Sequence, residues 1–256
     1  MLVFVFIFIL PRTEEQPKTA EEHYNTEVSS ELKTIVPGFL TVGSDCTHPP
    51  MEFIVENNNI AGFDLDLAVL ISKKLGLGID YQNAAWDGLF PALIAHKYDM
   101  VISSITISDD RKKEVDFSDP YYKTDQAAIV KEDSGIDSPD KLNGKKAGAA
   151  IGSTGELAAR EIEGLTVQTY DNILLAFDDL NAGRIDAVIA DSYVGYAYAK
   201  NNKALTVGFS IVTGEQLGIA FAKDTPELLK AVNEALKSIK EEGTYDIIYD
   251  KYFGQD

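Results

Sequence analysis

Arg111 is the residue from which the chemistry of this chain can be read. It stands in residues 99–122 (DMVISSITISDDRKKEVDFSDPYY), downstream of a short apolar run and two small hydroxyl residues, Ser104 and Thr106. The pattern predicts a buried strand over 100–103. Ser108 then serves as N-cap, with Asp109 and Asp110 at the positive end of a short helix that carries Arg111. Ligands of open α/β sheets bind off the carboxyl ends of the strands, so a guanidinium one turn beyond such an end can grip a small anion. Arginine offers a planar fork that meets a carboxylate with two parallel bonds, and lysine cannot. A solvated helix on which Arg111 merely pairs with Asp109 or Asp116 fits this stretch equally well.

Other residues supply the opposite sign and further donors. GSTGE (152–156), ahead of an expected helix, presents free backbone N–H groups and a dipole end suited to an anion. The same letters also spell a capping box, Ser153-x-x-Glu156. The lysine of a phosphate-binding P-loop is missing. Asp191, at the end of another expected strand, can receive an ammonium or cap the next helix. Asp45, His48 and Trp86 fall at or just past strand ends in the first half, although the sole tryptophan could be core and a lone histidine a satisfied surface group. No serine or cysteine is paired with a histidine as nucleophile and base. Taken together, an arginine with hydroxyls and a helix N-terminus can hold a carboxylate, and a facing carboxylate can hold an ammonium. A small molecule with both groups is an α-amino acid, whose side chain aromatics at the mouth can cover.

The elements that must position these groups alternate. Strands are expected over 39–43 and 79–83, and helices over 64–75 and 86–96. A hairpin is expected to turn at 57–59. The order strand, helix, strand, helix, strand implies a parallel sheet with crossovers. Further strands are expected over 127–130, 146–151 and 217–222, and helices from 157, over 226–242 and over 245–252. LIAHKYDMVISS (93–104) is echoed at a constant offset by LNAGRIDAVIAD (180–191), which implies two similar α/β lobes and aligns Ser104 with Asp191.

Composition narrows the function. The chain has 256 residues, 45% of them hydrophobic, enough for a real core in one large or two ordinary domains. A formal net charge of −18 argues against nucleic acid or an anionic membrane as partner. Cys46 is the only cysteine, which excludes an internal disulfide, and His23, His48 and His96 lack ligand spacing, so no structural metal is expected. Residues 1–10 (MLVFVFIFIL) have the length of a signal-peptide apolar core but no basic residue before them and no cleavage site after; they read as a degenerate export signal. Residues 13–30 read as a polar spacer, with the folded part starting near residue 32.

From about residue 32 to 253 the chain resembles the polar amino-acid-binding proteins of ABC importers, the family of the glutamine-, histidine- and lysine/arginine/ornithine-binding proteins. The resemblance rests on GSDCTHPPMEF, AGFDLDLA, WDGLFPAL, SSITISDDRKKEVDFSDPYY, GSTGE, AGRIDAVIAD, GIAFAK and EGTYDIIYDKYFG, in that order. It implies the two-lobed type II periplasmic-binding-protein fold, an α/β protein whose lobes are mainly parallel sheets flanked by helices and joined by two crossover strands. Lobe 1 would comprise 32–123 plus 220–256 and lobe 2 would comprise 124–219. By the same resemblance Arg111, Thr106 and the Thr154 amide or hydroxyl bind the ligand carboxylate, Asp191 binds the ammonium, and Ser104 adds a carbonyl or hydroxyl. Asp45 faces the ligand side chain, beside Trp86 and His48. His48 departs from the family's usual aromatic, and Ile151 stands where glutamine binders carry a basic residue. The implied protein is an extracytoplasmic monomer without a cofactor, which binds a free amino acid by hinge closure and hands it to a membrane permease. A basic ligand is favoured by Asp45, with Glu52 or Glu215 as further carboxylates. Glutamine, histidine or another polar amino acid stays open, as do an enzyme on this scaffold, such as a cyclohexadienyl dehydratase, and a receptor's sensor domain.

Overall fold

The computed structural model describes residues 32–254, and the apolar N-terminal segment and polar spacer lie outside them. Among the described residues two five-stranded sheets carry the architecture. In the first, β1 (Phe39–Ser44), β5 (Gly78–Asn83) and β6 (Met100–Val101) run parallel. Helices α1 (Phe63–Lys74) and α2 (Trp86–Ile94) make the crossovers. The second sheet repeats the plan with β9 (Lys146–Ala150), β10 (Thr166–Tyr170) and β11 (Ala187–Asp191), linked through α4 (Thr154–Arg160) and α5 (Ile173–Asn181). In each, the first strand lies between the second and third, so the echo in the sequence is an echo in topology.

The echoed aspartates explain why those letters recur. Asp99 receives the Thr41 N–H at 2.7 Å, and its own N–H donates to the Thr41 carbonyl at 2.8 Å. Asp186 makes the same pair of bonds with Lys146, at 2.9 Å and 2.8 Å. In both lobes, therefore, a carboxylate entering the third strand clamps the first strand and sets their register.

Two long strands join the lobes. β8 (Tyr122–Lys131) and β12 (Leu205–Leu217) complete the second sheet in the order β10-β9-β11-β8-β12, and at the ends nearest the first lobe they pair antiparallel at Gln216↔Lys123 and Leu217↔Tyr122. These are longer than the sequence suggests. The expected strand at 127–130 is the buried middle of β8, while the expected strand at 217–222 splits between the end of β12 and β13 (Ala220–Phe221). β13 inserts between β6 and β7 (Asp116–Phe117), with antiparallel pairing. The C-terminal helices α7 (Pro226–Glu241) and α8 (Thr244–Phe253) then close the first lobe. Leu228, Val232, Leu236 and Ile239, at helical spacing on α7, share one buried cluster with Leu67 and Ile71 of α1. The fully buried Phe63 ring meets Tyr245 and Phe253 of α8 at 5.5 Å.

The expected hairpin is part of a small three-stranded sheet made of β2 (Thr47–His48), β3 (Glu52–Ile54) and β4 (Ile60–Ala61). It shapes the rim of the cleft by holding His48 beside Asp45. α6 (Ser192–Asn201) follows β11 directly.

Candidate functional site

All eight residues singled out from the sequence, Asp45, His48, Trp86, Ser104, Thr106, Arg111, Thr154 and Asp191, line one cleft between the two sheets. Asp45 follows β1, Trp86 opens α2, and Ser104 and Thr106 follow β6, so the first-lobe groups sit at carboxyl ends of parallel strands. Thr154 opens α4 after β9, and Asp191 ends β11.

Arg111 is held from its own lobe and reaches across. The short helix α3 (Arg111–Glu114) has Asp110 and not Ser108 at its N-cap, while the Ser108 hydroxyl accepts the Arg111 N–H at 3.2 Å from the turn before it. The guanidinium donates to the Thr106 carbonyl at 2.9 Å and to the Gly152 carbonyl of the opposite lobe at 3.2 Å. It lies over the Trp86 ring, 5.2 Å from the centroid. The surface pairing open from the sequence does not form: Asp109 faces Lys112, and Asp116 bonds Lys223 at 3.0 Å. Among the described residues no carboxylate lies within ion-pair distance of Arg111, and Arg111 and Asp191 do not fill the cleft by bonding to each other. Burial lowers the Arg111 pKa, opposed by the charges of Asp191 and Glu215.

GSTGE forms the capping box. Ser153 caps α4 by accepting the Glu156 N–H at 3.1 Å, and the Glu156 carboxylate accepts the Gly152 N–H at 2.7 Å. The first-turn amides of α4 have no intrahelical acceptors, and Ser153 and Thr154 line the cleft. Gly152 adopts φ +69°, which turns its carbonyl toward Arg111 and favours glycine there. At Gly155 a Cβ would stand 2.8 Å from the Ile189 carbonyl, so only glycine lets α4 press against β11 and the Gln126 side chain.

Asp191 makes no capping bond to α6 and instead accepts from the Gln126 amide at 3.1 Å. Burial first, then the neighbouring Glu215 charge, pushes its pKa up to about 7. Asp45 is pushed up to about 6, again mainly by burial. His48 is driven down to about 4 by burial, which leaves its imidazole neutral at physiological pH. Two carboxylates that resist ionisation in a shared cleft are poised for a cationic partner.

Behind the wall sits a buried acidic pair. Glu52 accepts the Ser104 hydroxyl at 3.0 Å, and Asp64 accepts the Ser104 N–H at 2.9 Å and the Tyr121 hydroxyl at 3.0 Å. Both are fully buried, and burial raises the pKa of each. They hold Ser104 in its left-handed backbone, φ +51°. Glu52, considered from sequence as a side-chain partner, is thus a support beneath Ser104 and does not line the cleft.

Sequence reasoning missed Ser103 and Ala150 in the lining, and Gln126 behind it, and had Ser153 there only as part of GSTGE. Gln126 was findable as a lone amide in the apolar strand QAAIV. The free space between these side chains is narrow, about 30 Å³.

Two α/β lobes, two connecting strands and a charged cleft between them define a two-lobed solute-binding protein. The comparisons agree: residues 40–255 match the model of bacterial extracellular solute-binding proteins, family 3, and the chain belongs to that family. It is 40% identical over 223 residues to the ABC transporter arginine-binding protein 1 of Escherichia coli (strain K12), covering 84% of this chain and 91% of that protein. It is 35% identical over 223 residues to the L-cystine-binding protein of the same organism, covering 86% and 84%. The solved structure of an ancestral arginine-binding protein bound to glutamine is 43% identical, with a TM-score of 0.82, over 86% of this chain and all of that one. The described residues contain no helix long and apolar enough to cross a membrane and no cluster of potential metal ligands.

Proposed function

We propose that this protein binds a basic L-amino acid, arginine, lysine or histidine, outside the cytoplasm by hinge closure and, as a monomer without enzymatic activity, delivers it to the permease of an ABC importer. Lobe 1 is taken as 32–123 plus 220–256 and lobe 2 as 124–219. Arg111, with Thr106 and the Thr154 amide, receives the α-carboxylate. Asp191 and Ser104 receive the ammonium, Asp45 receives the cationic side chain, and Trp86 and His48 cover it. Closure follows because each lobe holds one end of the ligand, so the ligand favours the closed arrangement by its differential contacts.

The observation that carries the reading is the charge count of the cleft lining: two carboxylates, the buried Asp45 and the half-buried Asp191, against one guanidinium. A zwitterion balances Arg111 and one carboxylate; only an added positive charge balances the other.

A thermal-shift panel of the common amino acids tests this. Ligand at a hundred times Kd adds about 2.7 kcal/mol, roughly 5–10 °C in a protein of this size. The largest shifts are expected from arginine, lysine or histidine. A larger shift from glutamine or cystine removes the basic preference, and no shift from any amino acid removes the reading.

A further inference from the structure

Glu215 lies on β12 near its return to the first lobe, outside the eight residues assigned above. Its place is set by an irregularity in the β8–β12 ladder between Ile211 and Glu215. There the Asp125 carboxylate accepts the Thr213 and Gly214 N–H groups at 2.8 and 2.7 Å, and Gly214 turns at φ +63°. The turned strand brings the Glu215 carboxylate against Thr106 and Thr154, two residues of the cleft lining. One oxygen, Oε2, accepts the Thr106 hydroxyl of the first lobe at 2.5 Å and the Thr154 hydroxyl of the second at 2.7 Å. The other, Oε1, accepts from the Gln126 amide nitrogen at 3.1 Å. That nitrogen also donates to Asp191 at 3.1 Å, so a single amide joins the two carboxylates. Gln126 is fully buried, and its Oε1 has no hydrogen-bond partner, so its NH₂ group is committed to these acceptors.

A threonine hydroxyl has one proton to donate. The two hydroxyls also lie 3.3 Å apart, where either can donate to the other; while both protons point at Glu215, Thr106 and Thr154 can meet a ligand carboxylate only through their backbone amides, beside Arg111. We propose that Glu215 is a specificity-determining residue of this cleft: by taking the hydroxyl protons of Thr106 and Thr154 and adding a third carboxylate near Arg111 and Asp191, it weakens the hold on the ligand's carboxylate and selects ligands of net positive charge. The selection rests on the amino-acid reading given above; the coupling to Asp191 does not. The charged and titratable groups around Asp191 are Glu215 on β12, Arg111 across the cleft, the Tyr193 hydroxyl on α6 and the Tyr122 hydroxyl on β8.

Glu215→Gln in the full chain tests both parts. The amide keeps the shape, removes the charge and can itself donate to a threonine oxygen, freeing a hydroxyl proton for the ligand. Titration calorimetry would compare arginine with neutral citrulline, and lysine with norleucine. The preference for the cation is expected to fall at least about tenfold, because removing an opposite charge roughly 6 Å from the cation at an effective dielectric near 20 takes away an attraction of that order or larger, with the neutral analogue bound as tightly as before or more so. Equal weakening of both members of each pair would assign Glu215 a structural role and overturn the proposal. In the ligand-free protein, carbon-13 NMR of the Asp191 carboxyl should show its titration midpoint moving to lower pH in the variant. A midpoint that stays put overturns the proposal too. Should the parent protein bind none of the four compounds, the amino-acid reading fails, and the NMR titration still decides the link between Glu215 and Asp191.

Discussion

Arg111 and Asp191 stand on opposite lobes, and each lacks an ion-pair partner of its own among the described residues. Removing either leaves the ligand group it should meet desolvated and unpaired, which costs about 2–5 kcal/mol, thirtyfold or more in affinity. Arg111→Ala and Asp191→Ala are therefore expected to abolish the melting shift given by the best ligand at ten times Kd. An undiminished shift in either variant would take that residue out of the site. Arg111→Lys should recover little, because a point charge cannot form the paired bonds of the fork. The convergence of the eight residues was legible because each carries its chemistry at a strand end or helix start, where an α/β sheet collects its functional groups. Gln126 and Glu215 were harder to read. Both lie on the connecting strands, and what matters is the direction of the side chain, set for Glu215 by an irregular turn that no spacing rule anticipates. Glu52 misled for a related reason, since a loop carboxylate and a buried support look alike in one dimension.

At the scale of elements, the repeated aspartates make a sharper case than any helix. Asp99 is buried and accepts two backbone N–H groups, Thr41 at 2.7 Å and Ile35 at 2.8 Å. Its counterpart Asp186 is partly exposed, accepts one N–H and sits 3.5 Å from Lys145. Bonds to a charged group contribute about 1.5–3 kcal/mol each, more when a buried donor is left unpaired. Asp99→Ala should thus cost about 3–5 kcal/mol in urea unfolding, and Asp186→Ala about 1 kcal/mol. Equal losses would show that the clamp does not depend on burial. This motif let two lobes be read from sequence, because the same strand-pairing need recurs in both halves. The amphipathic helices were equally plain: α7 was expected over 226–242 and ends at Glu241. The two connecting strands were not, because β12 interrupts its alternation with Gly208 and the polar run TGEQ, and because pairing across a hinge leaves no local signature. β6 was read longer than its two ladder residues, since the left-handed backbone at Ser104 turns the chain into the cleft.

For the whole molecule, the buried carboxylates couple folding and binding to pH with opposite signs. Asp45 and Asp191, with folded values of about 6 and about 7, would titrate near 4 when unfolded. Each binds its proton more tightly in the folded state, so its contribution to stability is complete below about pH 4 and is lost as pH rises through the folded value. The buried pair Glu52 and Asp64 acts in the same direction. Without ligand, the melting temperature should therefore climb as pH falls from 8 toward 5.5, at roughly 2–4 °C for each kcal/mol recovered. A cationic ligand prefers the ionised carboxylates. Its affinity is then full above about pH 7 and falls below it, as protons compete first at Asp191 and then at Asp45. Melting curves with and without ligand should converge on acidification, the unliganded curve moving up while the increment from ligand shrinks. Asp191→Asn isolates the cause, since it should flatten the upper part of the unliganded pH dependence between 6 and 8. Parallel curves with a constant ligand increment would mean that these carboxylates are already ionised in the empty cleft, and the electrostatic basis for a cationic ligand would then be lost.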